Sequence, residues 1–66
     1  MTVAELLSRK DEAVDLAQTT GWRRIMPYLT PIKCIRVDGE VRRYYFNGAG
    51  RLYYRRVAEC ELYRDK

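Results

Sequence analysis

Asp38-Gly39, set between Arg36-Val37 and Glu40-Val41, constrains this chain more than any other feature. A two-residue hairpin of type I′ needs positive φ at both central positions, which Asp tolerates and Gly adopts freely, so the flanking segments are expected to run antiparallel. Asn47-Gly48-Ala49-Gly50, between Phe46 and Arg51, marks a second turn. The stretches around these turns, about 32–37, 40–46 and 51–57, are rich in β-branched and aromatic residues and read as three strands of a meander. Ala58 to Tyr63 reads either as an extension of the third strand or as a short helix.

The N-terminal third has a different pattern. Thr2-Val3-Ala4-Glu5 is a capping box, in which the Thr hydroxyl and the Glu carboxylate satisfy each other's backbone N–H groups. Leu6, Leu7, Ala13, Val14, Leu16 and Ala17 then recur at near-helical spacing, which predicts a helix over about 3–19. Ser8-Arg9-Lys10-Asp11 repeats the capping pattern, so a short turn followed by a helix from Arg9 is the alternative. Thr19-Thr20-Gly21 closes the helical stretch, with Gly suited to a left-handed position. Between Trp22 and Pro31, two prolines break any continuous helix, leaving one helical turn, a short strand, or both in succession. Trp22 itself reads as a core plug between helix and sheet.

With 66 residues there is room for one domain, residues 1–66, whose thin core needs support from a partner or a second copy. The absence of histidine and the presence of only Cys34 and Cys60 exclude a four-ligand Cys/His zinc site within one chain, so no metal and no cofactor is expected. The two cysteines, far apart and without a C-x-x-C spacing, are read as reduced thiols that act as small apolar fillers. No nucleophile–base pair is legible, since Ser8 is the only serine and no imidazole exists; an enzyme is not expected. No apolar run is long enough for a membrane span or a secretory signal, so the reading is a cytoplasmic protein complete from Met1, with no membrane partner.

Charge is unevenly distributed. Residues 21–56 carry nine Lys/Arg against two Asp/Glu, whereas residues 1–20 are net acidic. If both turns close in the simplest register, Arg36 lies opposite Val41 and Tyr45 opposite Leu52, and the two-residue period assigns every side chain to a face. One face then collects Ile32, Cys34, Val41, Tyr45, Leu52 and Tyr54 as the core side, with Arg36, Arg43 and Arg56 towards its ends. The other collects Lys33, Arg42, Tyr44, Phe46, Arg51, Tyr53 and Arg55, together with Ile35 and Val37. Cations interleaved with aromatics are what a polyanion with flat bases favours, because guanidinium groups neutralise phosphates and rings offer stacking platforms.

Leu7 to Ala17, with its Asp11-Glu12-Ala13-Val14-Asp15-Leu16-Ala17 core, resembles the opening of small excisionase-type winged helix-turn-helix proteins. Arg42-Arg43-Tyr44-Tyr45 and Arg51-Leu52-Tyr53-Tyr54-Arg55-Arg56 resemble the wing of that group. The resemblance implies a helix carrying Trp22, Arg23, Arg24 and Tyr28 in the major groove, and a wing placing Arg42, Arg43, Arg55 and Arg56 on the backbone or minor groove.

The expected protein is thus an α+β domain, one N-terminal helix packed on a three- to four-stranded antiparallel meander, with a β-rich basic part over about 22–63. Its expected role is non-catalytic nucleic-acid binding, DNA first, as a regulatory or architectural factor. The expected contacts are Arg23, Arg24, Arg42, Arg43, Tyr44, Phe46, Arg51, Tyr53, Arg55 and Arg56. The alternative is an interaction module or inhibitor that presents the same face to an acidic protein surface, since Tyr, Trp and Arg also dominate protein interfaces. A free sheet edge would allow a homodimer.

Overall fold

The capping box forms as the sequence predicts. Thr2 Oγ1 accepts a hydrogen bond from the Glu5 backbone N–H at 3.2 Å, and Glu5 Oε1 accepts one from the Thr2 backbone N–H at 2.8 Å. These bonds start helix α1, Val3–Ser8, in this computed structural model, which describes residues 2–58. The backbone hydrogen bond from Thr2, followed by that from its side chain, holds the Glu5 carboxyl below the usual carboxylate range.

The helix then stops, and neither a continuous run to residue 19 nor a second helix from Arg9 forms. Ser8 Oγ donates to the Glu5 carbonyl at 2.8 Å, and Arg9 leaves the helical region at φ −111°, ψ 10°. A 3-10 turn at Lys10–Glu12 leads into strand β1, Val14–Asp15, and a second 3-10 turn at Leu16–Gln18. Asp15 organises that second turn: its carboxylate accepts from the Ala17 N–H at 3.0 Å, and its carbonyl accepts from Thr19 Oγ1 at 3.1 Å. Of the apolar residues counted as helical, Leu6 and Leu7 therefore stay in α1, while Val14 goes to a strand and Leu16 and Ala17 to a turn. The competing demand is backbone satisfaction, since Val14 and Asp15 supply pairing groups to a sheet edge that a helix could not.

Residues 22–30 take both of the forms the two prolines allow, in succession. Gly21 at φ +72° admits a single helical turn, α2, Trp22–Ile25. A 3-10 turn at Met26–Tyr28 follows, with Pro27 at its start where the missing N–H costs nothing. Strand β2 then spans Thr30–Val37, β3 spans Glu40–Phe46 and β4 spans Leu52–Arg56. Asp38 and Gly39 join β2 to β3 with φ +51° and +83°, the signs a type I′ turn requires.

The sheet order is β1-β4-β3-β2, and β2, β3 and β4 are antiparallel neighbours. β1 pairs with β4 in parallel, Val14 opposite Tyr53 and Asp15 opposite Tyr54, so the fold is α+β with a mixed sheet rather than a pure meander. Pairing in the first hairpin matches the sequence reading, with Arg36 opposite Val41, before an irregularity between Pro31 and Cys34.

The second hairpin is one residue out from the simple reading. Leu52 lies opposite Phe46, not Tyr45, so Tyr44 faces Tyr54 and Arg43 faces Arg55. The cause is Asn47, whose Oδ1 accepts from the Ala49 and Arg51 N–H groups at 2.9 Å each while its own N–H donates to the Arg51 carbonyl. This side-chain-closed turn, completed by Gly50 at φ +85°, brings the strands together one pair earlier.

Each face of the sheet carries a buried cluster. On one side Leu6 of α1 packs with Val37, Tyr44, Leu52 and Tyr54, with Ala13, Ile32, Ile35 and Phe46 around them. On the other side Leu16, Leu29 and Tyr45 pack together, bordered by Trp22, Ile25, Met26 and Tyr53, so Trp22 does plug a core. Tyr44 and Tyr45 are consecutive and point to opposite faces, yet their exposures are 0% and 5%. Cys34 is buried at 1% exposure, but the expectation of a reduced thiol is corrected: it is disulfide-bonded. Cys60 and nearly all of the 58–63 stretch lie outside the described residues.

Two substitutions test this architecture by urea unfolding. Leu6→Ala empties the centre of the α1-side cluster and is expected to cost about 2–5 kcal/mol. Asn47→Ala removes two side-chain-to-backbone bonds from the β3–β4 turn and is expected to cost about 1–2 kcal/mol.

Candidate anion-binding face

The corrected register divides seven of the ten expected contact residues between the two sides of the sheet. Arg42, Tyr44, Phe46 and Arg56 share the side covered by α1, whereas Arg43, Tyr53 and Arg55 share the side covered by residues 16–29. Tyr44 has no exposed surface, and Phe46 and Tyr53 are half-buried against the two clusters. Arg23 and Arg24 are exposed on α2, and Arg51 is exposed in the turn at the opposite end of β4 from Arg55.

On the α1 side the cations are neutralised within the protein. Glu40 Oε2 lies 2.7 Å from Arg42 Nη2 and Glu40 Oε1 lies 2.9 Å from Arg56 Nε. Arg56 also pairs with Asp15, tying β1 to β4 and β3. Both guanidinium groups lie over the Tyr54 ring, Arg42 Cζ at 4.2 Å from the centroid and Arg56 Cζ at 5.6 Å, and Arg42 donates to Tyr44 Oη at 3.2 Å. The hydrogen bond from Arg42, then that from Arg56, holds the Glu40 carboxyl below its ordinary range. Arg56 is raised in turn, chiefly by its bonds to Glu40 and Asp15. Lys10 is likewise engaged, with Asp38 at 2.9 Å, and Arg9 with Glu12 at 3.0 Å.

The opposite side repeats the motif of one ring and two guanidinium groups, without the carboxylates. Trp22 is half-buried at the start of α2, with Arg23 Cζ 5.4 Å and Arg55 Cζ 5.6 Å from its ring centroid. Arg43 lies directly across from Arg55, and Cys34 directly across from Arg43, so the strand period sets Arg36 on the same face one row further along. Among the described residues, no carboxylate pairs with Arg23, Arg36, Arg43 or Arg55, and Arg43 Nε is enclosed without a hydrogen-bond partner.

Two members of this group are additions to the expected contacts. Arg36 had been left at the end of the core face, and its parity with Cys34 is the signal that locates it once both faces are known to be covered. Trp22 reads from the sequence as a core plug, and the winged helix-turn-helix resemblance would set it beside Arg23 in a groove; its contact with Arg55 comes only through the fold. Tyr28, 78% exposed in the turn after α2, is the most exposed large apolar side chain described.

No helix among the described residues is long and apolar enough to cross a membrane. No protein-family model matches this chain, nor does any curated protein or solved structure.

The Glu40 network generates a pH prediction. Because Glu40 and Asp38 have lowered folded values, the latter mainly through its hydrogen bond from Lys10, their stabilisation is full above the ordinary carboxylate range and is lost as pH falls through the lowered values. Glu40→Gln is expected to melt at lower temperature than the parent at pH 7, and to lose less further stability between about pH 5 and pH 2, as followed by circular dichroism.

Proposed function

We propose that this protein is a small non-catalytic nucleic-acid-binding factor, with DNA the first candidate, that meets the phosphate backbone through the face carrying Trp22, Arg23, Arg36, Arg43 and Arg55. The observation that carries the reading is the contrast between the two sides of one sheet. The same ring-and-guanidinium arrangement is neutralised by Glu40 and Asp15 around Tyr54, and has no carboxylate partner among the described residues around Trp22. Arginines that neither pair with acids nor pack fully are available to neutralise phosphates. Exposed Arg24 extends the positive surface along α2.

The reading rests on a sheet face with one flanking helical turn, because α2 spans only four residues and does not by itself fill a major groove. Contacts of this kind position a backbone and carry no base preference of their own. Sequence-tolerant binding is therefore the expected behaviour.

Fluorescence anisotropy with mixed-sequence single-stranded and duplex oligonucleotides across a salt series tests the proposal. Binding should weaken steeply with salt, and Arg43→Ala/Arg55→Ala should flatten the log–log slope by about 2, roughly one unit for each lost phosphate contact. Arg56→Gln, which removes a cation already engaged by Glu40 and Asp15, should leave the slope unchanged. Absence of binding at about 50 mM salt, where phosphate contacts are strongest, would overturn the reading in favour of an acidic protein surface.

A further inference from the structure

Arg43 and Arg55 oppose each other directly across β3 and β4. Like charges at directly opposed positions destabilise an antiparallel pair, and the cost grows when one of them is withdrawn from water. Arg43 is half-buried and its Nε is enclosed without a partner, although a guanidinium donor in that position ordinarily finds an acceptor. Arg36 lies on the same face of the neighbouring strand, and Arg55 is steered over Trp22. Three cations thus lie on three adjacent strands of one face, and among the described residues no carboxylate pairs with them.

The geometry points to a single tetrahedral oxyanion seated between Arg43 and Arg55, a phosphate group whose oxygens accept from the terminal guanidinium N–H groups of both and screen the two charges from one another. Guanidinium forks match such an anion because they offer several fixed N–H groups to its oxygens. The phosphate is either part of a nucleic-acid backbone or a free phosphate. The inference rests on the proposed function only for the first of these sources, since the seat itself follows from the directly opposed, unneutralised pair.

The full chain is melted in sodium phosphate and in sodium chloride of equal ionic strength at neutral pH, and the oligonucleotide titration is repeated with inorganic phosphate as competitor. The seat predicts a melting temperature about 3–5 °C higher in phosphate once phosphate reaches roughly twice its dissociation constant. Arg43→Gln should abolish that rise, and in phosphate-free buffer it should melt at or above the parent temperature because the opposed charges are gone. Arg55→Gln, at an exposed position where loss of folding is not a concern, should abolish the rise as well.

Equal melting in phosphate and chloride would overturn the seat, as would an equal rise retained in both variants, which marks a general salt effect. A lower melting temperature for Arg43→Gln in phosphate-free buffer would overturn it too, since the guanidinium would then already be satisfied inside the protein. Competition by phosphate against the oligonucleotide assigns the seat to the nucleic-acid backbone. A phosphate-dependent rise without oligonucleotide binding keeps the seat, assigns it to free phosphate and removes the proposed function; oligonucleotide binding without the rise does the reverse.

Discussion

Burial of Tyr44 and Tyr45 on opposite sides of β3 is the constraint on which the rest of this structure depends. Two consecutive strand residues cannot share a face, so two buried tyrosines require a covering layer on each side of the sheet. Among the described residues, the first 29 make both layers. The chain divides them, with α1 closing one side through Leu6 and the 3-10 and helical turns of residues 16–29 closing the other through Leu16 and Leu29. A single long N-terminal helix would have covered one tyrosine and left the other in water.

The electrostatics follow from the same division. β1, the short strand made where the long helix was expected, carries Asp15 to the side of Arg56, and Glu40 completes the network at the start of β3. Among the described residues, Asp15 and Glu40 thereby neutralise cations on the α1 side. The opposite side receives Arg36, Arg43 and Arg55 from three adjacent strands and Arg23 from α2, with an indole among them. Asymmetry of this kind is invisible to net charge, which is +4 for the whole chain. It is the separation of the counter-ions, more than the number of cations, that marks the Trp22 side as a candidate surface for a polyanion.

A one-residue slip at Asn47 decided which contact residues share a face. Pairing Tyr45 with Leu52 would have joined Arg42, Tyr44, Phe46, Tyr53 and Arg55 in one cation–aromatic surface; pairing Phe46 with Leu52 breaks that set in two. The Asn47 side chain accepts two backbone N–H groups of its own turn, and such local closure is hard to weigh from a sequence in which Asn-Gly is compatible with several loop lengths. Arg43 and Arg55 remain among the expected contacts, but as a directly opposed pair rather than on separate faces.

The sequence alone determined the elements that local chemistry controls: the Thr2–Glu5 capping box, the Asp38-Gly39 turn and three antiparallel strands, while across the two prolines it left a helical turn, a strand or both open. Each depends on neighbours a few residues apart, through a side chain that meets its own backbone or a φ that few residues tolerate. Only the tertiary structure decided the fate of residues 9–19, the parallel addition of β1, the pairing of β3 with β4 and the state of Cys34. Those outcomes turn on partners distant in the chain, where burying Tyr44 and Tyr45 together outweighs a weak helical preference that no local signal enforces.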